Sequence, residues 1–155
     1  MEERFLREAM RLAAENCEKG DGGPFAAVIV REGEVVGRGR NQVTSANDPS
    51  AHAEIMAIRD ACRRLDSFSL AGCEIYTSCE PCPMCLAAIY WARLERIHYA
   101  ASAEDAAAAG FDDKHIREQL ALPPQQRAIP MTQHLRDEAH EPFLAWMRKT
   151  DRVPY

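Results

Sequence analysis

The chain has 155 residues, 46% of them hydrophobic and 28% charged, which suits one globular domain with a real core and leaves no room for a second. Its 19 basic and 24 acidic residues give a net charge of −5 with no basic run, which argues against a nucleic-acid-binding surface. Neither an apolar signal core near Phe5 nor a stretch of membrane-spanning length is present, so the expected setting is the cytoplasm with no membrane partner, and the six cysteines read as metal ligands, reactive thiols or small buried hydrophobes rather than a disulfide framework.

Apolar residues at Phe5, Leu6, Ala9, Met10, Leu12, Ala13 and Cys17 predict an amphipathic helix over 2–19, stopped by Gly20. Residues 25–30 read as a strand, Glu32-Gly33 as a tight turn, and 35–39 as the hairpin partner, with Asn41 at its end. A polar loop over 45–50 precedes a helix over 51–65. Residues 74–78 form the third strand, and a helix opening at Pro81 is apolar nearly all round, so burial is expected for it. It crosses over to a fourth strand, 96–100, parallel to the third. A short helix over 103–109 ends at Gly110, another spans 114–122, residues 128–134 read as a fifth strand, 138–149 as a final helix, and 150–155 as a tail. Cys17, Cys62 and Cys73 are expected to pack, and His98, His115, His134 and His140 to lie at the surface.

The chemistry concentrates in two places. Cys82 and Cys85 stand three apart where a strand feeds a helix, so both sulfurs share one face near the positive end of the helix dipole. His52-Ala53-Glu54 offers an imidazole and a carboxylate. A catalytic zinc takes three protein ligands and leaves a fourth position for water, and His52, Cys82 and Cys85 make three. Two residues apart in a regular helix, His52 and Glu54 would diverge by about 200°, so they converge only if the helix starts there. Cys79 leaves a bland alternative open, a four-ligand structural site.

His52-x-Glu54 followed by Pro81-Cys82-x-x-Cys85 resembles the signature of the zinc-dependent nucleobase deaminases. The Gly22-Gly23-Pro24-Phe25 run, Asn41, Asn47-Asp48-Pro49, Thr77-Ser78-Cys79-Glu80, the run from Ala88 to Arg93 and Ala109-Gly110-Phe111-Asp112-Asp113 extend the resemblance to the bacterial guanine deaminases over nearly the whole chain. The resemblance implies a cytidine-deaminase-like three-layer α/β/α fold with a five-stranded mixed sheet. It further implies one zinc ion per subunit, hydrolysis of guanine to xanthine and ammonia by a zinc-activated water, and a homodimer with a swapped C-terminal segment. By the same resemblance His52, Cys82 and Cys85 hold zinc, and Glu54 shuttles protons from water to N3 and the leaving amine. Asn41, Phe25, Ala53, Trp91, Asp113 and Tyr155 contact the purine, Asp113 as an acceptor for guanine's N–H edge and Tyr155 from a tail that closes the site. The alternatives are a tRNA adenosine deaminase, a deaminase of cytosine or an aminotriazine, and a zinc-stapled structural module. Glu54 separates the last from the enzymes, since a closed site has no use for a carboxylate beside an open position.

Overall fold

The computed structural model describes residues 2–155. Helix α1, Glu3–Lys19, buries Phe5, Ala9, Leu12, Ala13 and Asn16 on one stripe, and Gly20 ends it at φ 72°, where its N–H meets the carbonyls of Asn16 and Cys17. Cys17 falls beside that stripe and is exposed rather than packed. Strands β1, Ala26–Arg31, and β2, Glu34–Arg40, pair antiparallel through Glu32 and Gly33. Their φ values of 51° and 80° match the two-residue turn that follows the natural twist of a hairpin. After the one-turn helix α2, Val43–Ala46, comes α3, Ala53–Leu65. Strand β3, Cys73–Cys79, lies antiparallel to β1. Helix α4, Pro83–Trp91, then crosses to β4, Arg96–Ala101, which runs parallel to β3 as expected. The short helix α5, Ala103–Ala108, opens on a reciprocal capping pair between Ser102 and Asp105.

Among the described residues the sheet is mixed with order β2-β1-β3-β4. It has four strands, not the expected five. Residues 128–134 are irregular because Pro130 lacks a ladder donor and the unit they belong to, His115–Tyr155, offers no other strand to pair with.

Successive residues of β1 serve opposite faces of the sheet. Ala26, Val28 and Val30 meet Phe5, Leu12 and Ala13 of α1, while Ala27 and Ile29 meet Ala53, Ala57 and Ala61 of α3 and Ile89 and Ala92 at the end of α4. Helices therefore cover both faces. His98, expected at the surface, instead lies on the α1 side with its Nε2 3.0 Å from the Glu74 carboxylate and its ring stacked 4.4 Å from Tyr76. Helix α4 departs from its expected burial too. Cys85 and Ile89 face inward, but Tyr90 and Trp91 are 76% and 66% exposed and Met84 is exposed beside them.

The chain divides after Lys114 into two units. The second contains most of α6, Lys114–Ala121, 3-10 turns at Pro124–Gln126 and Glu138–His140, and α7, Glu141–Arg148. Within it Arg127 Nε donates to the Leu122 carbonyl at 3.2 Å, and the Ala128 N–H donates to Gln119 Oε1 at 2.6 Å. None of its residues is buried, although Ile129, Leu135, Phe143, Met147 and Val153 are large and apolar. No described helix is long and apolar enough to cross a membrane.

The contact that places α3 is made by absent side chains. A Cβ on Gly39 would fall 2.0 Å from the Ala53 carbonyl oxygen and 2.2 Å from the Ala57 nitrogen, and one on Gly37 2.7 Å from the Ala61 Cβ. Glycines on β2 and alanines at every fourth position of α3 let the two backbones touch. Gly39→Ala is therefore expected to destabilise the fold by about 3 kcal/mol and to lower Tm by roughly 5–10 °C, as read by thermal melting. Because it moves the first turn of α3, bound metal measured on the same protein should fall with it.

Candidate active site

Both signature segments are helix beginnings. His52 is the N-cap of α3, extended at ψ 156°, so its ring is free of the helix while Glu54 occupies the second helical position. This resolves the angular conflict expected between them. The entry is fixed by backbone bonds, His52 N–H to the Ser50 carbonyl at 2.8 Å and Gln42 N–H to the Ala51 carbonyl at 2.9 Å. The Asp48 carboxylate adds to it by accepting from the Ser50 N–H and hydroxyl at 2.8 and 2.6 Å.

Helix α4 begins two residues later than Pro81 suggests. Pro83 is its first residue and Cys82 its N-cap at ψ 166°. A proline disfavours helical backbone in the residue before it, so Pro83 holds Cys82 in extended conformation just outside the helix. Cys85 then sits in the first turn, and the two sulfurs still converge.

The nitrogen of His52 and the sulfurs of Cys82 and Cys85 all lie within 4.8 Å of one another. Cys82 Sγ is 3.6 Å from His52 Nδ1, and tetrahedral zinc with ordinary Zn–S and Zn–N bonds places such a pair about 3.6 Å apart. The donor set of one imidazole and two thiols, spaced in this way, fits zinc. Cys79 takes no part, because its thiol donates to the Ser102 carbonyl at 3.4 Å. The cluster among the described residues thus has three members, which leaves a coordination position for water.

The electrostatics suit that use. The Cys85 thiol donating to Cys82 pulls the Cys82 thiol down to about 4, against the cost of burial and with help from His52. Cys85 is raised by the same bond and by burial. His52 is raised by its bond to Cys82. The bond between them thus makes Cys82 the more acidic of the two thiols. Glu54 is buried, 7% exposed, and burial raises its carboxyl above the usual range. A carboxyl so placed holds a proton more firmly than an exposed one.

Asn41, 7% exposed, presents a fixed amide. Its Oδ1 accepts from the Gly23 N–H at 3.3 Å and the Val43 N–H at 3.2 Å, so the face left over is the Nδ2 donor pair, not the donor and acceptor that an unconstrained amide offers. Half-buried Phe25 packs edge-on against Phe111 with centroids 4.9 Å apart. Ala53 is fully buried against β2. Trp91 ends α4 about 9 Å along the helix axis from Cys85, on the exposed side, and so is not drawn into the cluster. Asp113 lies in the half-exposed loop before α6, and Tyr155 is the exposed last residue of the second unit. Sequence reasoning missed Asn16, whose Nδ2 reaches the Asn41 carbonyl at 3.0 Å. A polar residue on an otherwise apolar helical stripe was the available signal.

Residues 1–101 match the family described as the cytidine and deoxycytidylate deaminase zinc-binding region. Along 153 residues, 99% of this chain and 98% of the relative, the sequence is 50% identical to a guanine deaminase of Bacillus subtilis. It is 46% identical to a tRNA-specific adenosine deaminase of Aquifex aeolicus over 64% of this chain and 65% of that one. The crystal structure of guanine deaminase from Bacillus subtilis superposes with a TM-score of 0.97 at 49% identity, covering 100% of this chain and 99% of the other.

Metal analysis of purified variants checks the ligand set. Bound zinc should be nearly lost in His52→Ala, Cys82→Ser and Cys85→Ser and retained in Cys79→Ser. Loss of zinc from Cys79→Ser in a protein that still melts cooperatively would reinstate the closed site.

Proposed function

The chain belongs to the cytidine and deoxycytidylate deaminase family, and on that premise we propose that it hydrolyses guanine to xanthine and ammonia. The observation that carries the reading is a likeness to guanine deaminase that runs the length of the chain, where the likeness to a tRNA-specific adenosine deaminase stops at 64% of it. The acidic balance of 24 against 19 supports a small base over an anticodon arm. The same balance and six free cysteines suit the cytoplasm.

One zinc ion per chain, held by His52, Cys82 and Cys85, would supply the Lewis acid that makes water a nucleophile at neutral pH. Glu54, on the first turn of α3, is placed to take one proton from the attacking water and pass it to N3 of guanine. As the C–N bond at C2 breaks, it passes the second proton to the departing amine, so water and guanine become xanthine and ammonia. With Oδ1 occupied, Asn41 contributes N–H donors, which suit the O6 or N7 acceptors away from the reacting carbon. Asp113 supplies the acceptor for guanine's N–H edge, which adenine lacks at N1. Phe25 packs against the purine and Ala53 leaves room for it, while the exposed Trp91 suits the dimer face better than the pocket.

The protein acts as a homodimer in this reading. The unit His115–Tyr155 has no buried residue yet carries Phe143, Leu144, Trp146 and Met147 on one short helix, and α4 exposes Met84, Tyr90 and Trp91. Apolar surface on that scale calls for a partner. A second copy, exchanging this segment, would cover α4 and bring Tyr155 to the other copy's pocket.

Ammonia release from guanine, adenine, cytosine and tRNA tests the substrate, and activity should be confined to guanine. Glu54→Gln should keep its zinc and lose at least ~10²-fold in kcat; a variant that keeps both zinc and normal turnover would sink the shuttle. Deleting residues 151–155 should depress turnover with zinc unchanged, and light scattering should give twice the 17.4 kDa chain mass.

A further inference from the structure

Asn16 is the polar member of the apolar stripe of α1, and it is 1% exposed. A buried amide at such a place must find partners or cost stability. Its Nδ2 donates to two carbonyls at once, Gly23 at 2.9 Å and Asn41 at 3.0 Å. Two acceptors on one nitrogen also fix which way the amide points. The same two residues are joined a second time by the Gly23 N–H on Asn41 Oδ1 at 3.3 Å, and the Asn41 N–H donates to the Phe25 carbonyl at 3.0 Å. Gly22 closes the arrangement from one side, since a Cβ there would lie 2.2 Å from the Asn41 carbonyl oxygen and 2.9 Å from its Oδ1. The loop before β1 and the residue after β2 are thus clamped together by a side chain from a helix that carries none of the metal ligands.

We propose that Asn16 is a positioning residue for substrate recognition: by holding the carbonyls of Gly23 and Asn41, it fixes the direction in which Asn41 presents its Nδ2–H donors. The inference rests on the reading of Asn41 as a contact to guanine. Asn16 itself lies beneath that contact. Its removal touches neither the metal ligands nor Glu54 and takes away two of the bonds that hold the Asn41 segment, so substrate binding suffers more than the chemical centre.

A double-mutant cycle on the full zinc-loaded protein tests this. Asn16→Ala should lower kcat/KM for guanine by about 10- to 100-fold, chiefly through KM, with bound zinc unchanged. Placed on Asn41→Ala, the same substitution should add less than about threefold, because the contact it positions is already gone. Asn16→Ser keeps one donor and should show an intermediate KM; it takes the place of Asn16→Ala in the cycle if melting shows that the alanine variant does not fold. If Asn41→Ala alone leaves guanine turnover unchanged, the reading of Asn41 falls and the proposal with it. If Asn41→Ala impairs turnover but the two losses multiply, or if Asn16→Ala lowers kcat at constant KM, the proposal alone falls.

Discussion

Two helix N-termini have to meet at one point, and the rest of the first unit is arranged so that they do. His52 and Cys82 both stand at N-cap positions, where a chain ordinarily places Ser, Thr, Asp or Asn to satisfy the first turn. Here the N-caps turn their side chains to the cluster with Cys85 instead. Each helix presents the positive end of its dipole and the free N–H groups of its opening turn toward the same cluster, which favours thiolate and any other anion formed there. A side chain at an N-cap is also outside the helical register. That freedom is what lets His52 and Glu54, two residues apart, work on one site.

The division of labour between elements follows. β1 and β3 form the buried middle of the sheet and bring the end of β3, with Thr77, Ser78 and Cys79 all buried, to the level of the cluster. The Ser78 hydroxyl ties that end to the Ala26 N–H at 3.1 Å. The Glu80 N–H bonds the Ala101 carbonyl at 2.9 Å, and the Glu80 carboxylate accepts from the Ala103 N–H at 3.2 Å. The cluster therefore stands where strands end and helices start. The turns before β1 and after β2 are joined to each other by the buried amide of Asn16.

The clustering of His52, Cys82 and Cys85 with Glu54 beside it was legible in the sequence because short spacings carry it: His52 to Glu54 and Cys82 to Cys85 are local facts that a helix start turns into geometry. The hairpin, the parallel step through α4 and the mixed character of the sheet were legible for a similar reason, since Glu32-Gly33 and the strand-helix-strand order each leave one arrangement. The start of α4 was misread because Pro81 and Pro83 both suit a first helical position, and only the effect of Pro83 on Cys82 decides between them. The fifth strand was misread because residues 128–134 have strand composition, and composition cannot show that their own unit holds no strand to pair with. Apolar residues all round α4 fit burial in a core and burial by a partner equally well, and nothing local separates the two. Asn16 stands out only as a polar residue on an apolar stripe, and its partners were not legible because they are 7 and 25 residues away.

The seam between β2 and α3 limits how this protein can change. Where Gly37 and Gly39 meet Ala57 and Ala61, backbone lies on backbone, so the distance from sheet to metal is set by covalent geometry rather than by the fit of adjustable side chains. Packed side chains give a lineage many small volume trades to explore; this seam gives none, because any added carbon lifts the helix bodily. Change on this frame is thereby channelled away from the seam and into the loops and the exposed surface, where an added side chain does not lift α3 off the sheet.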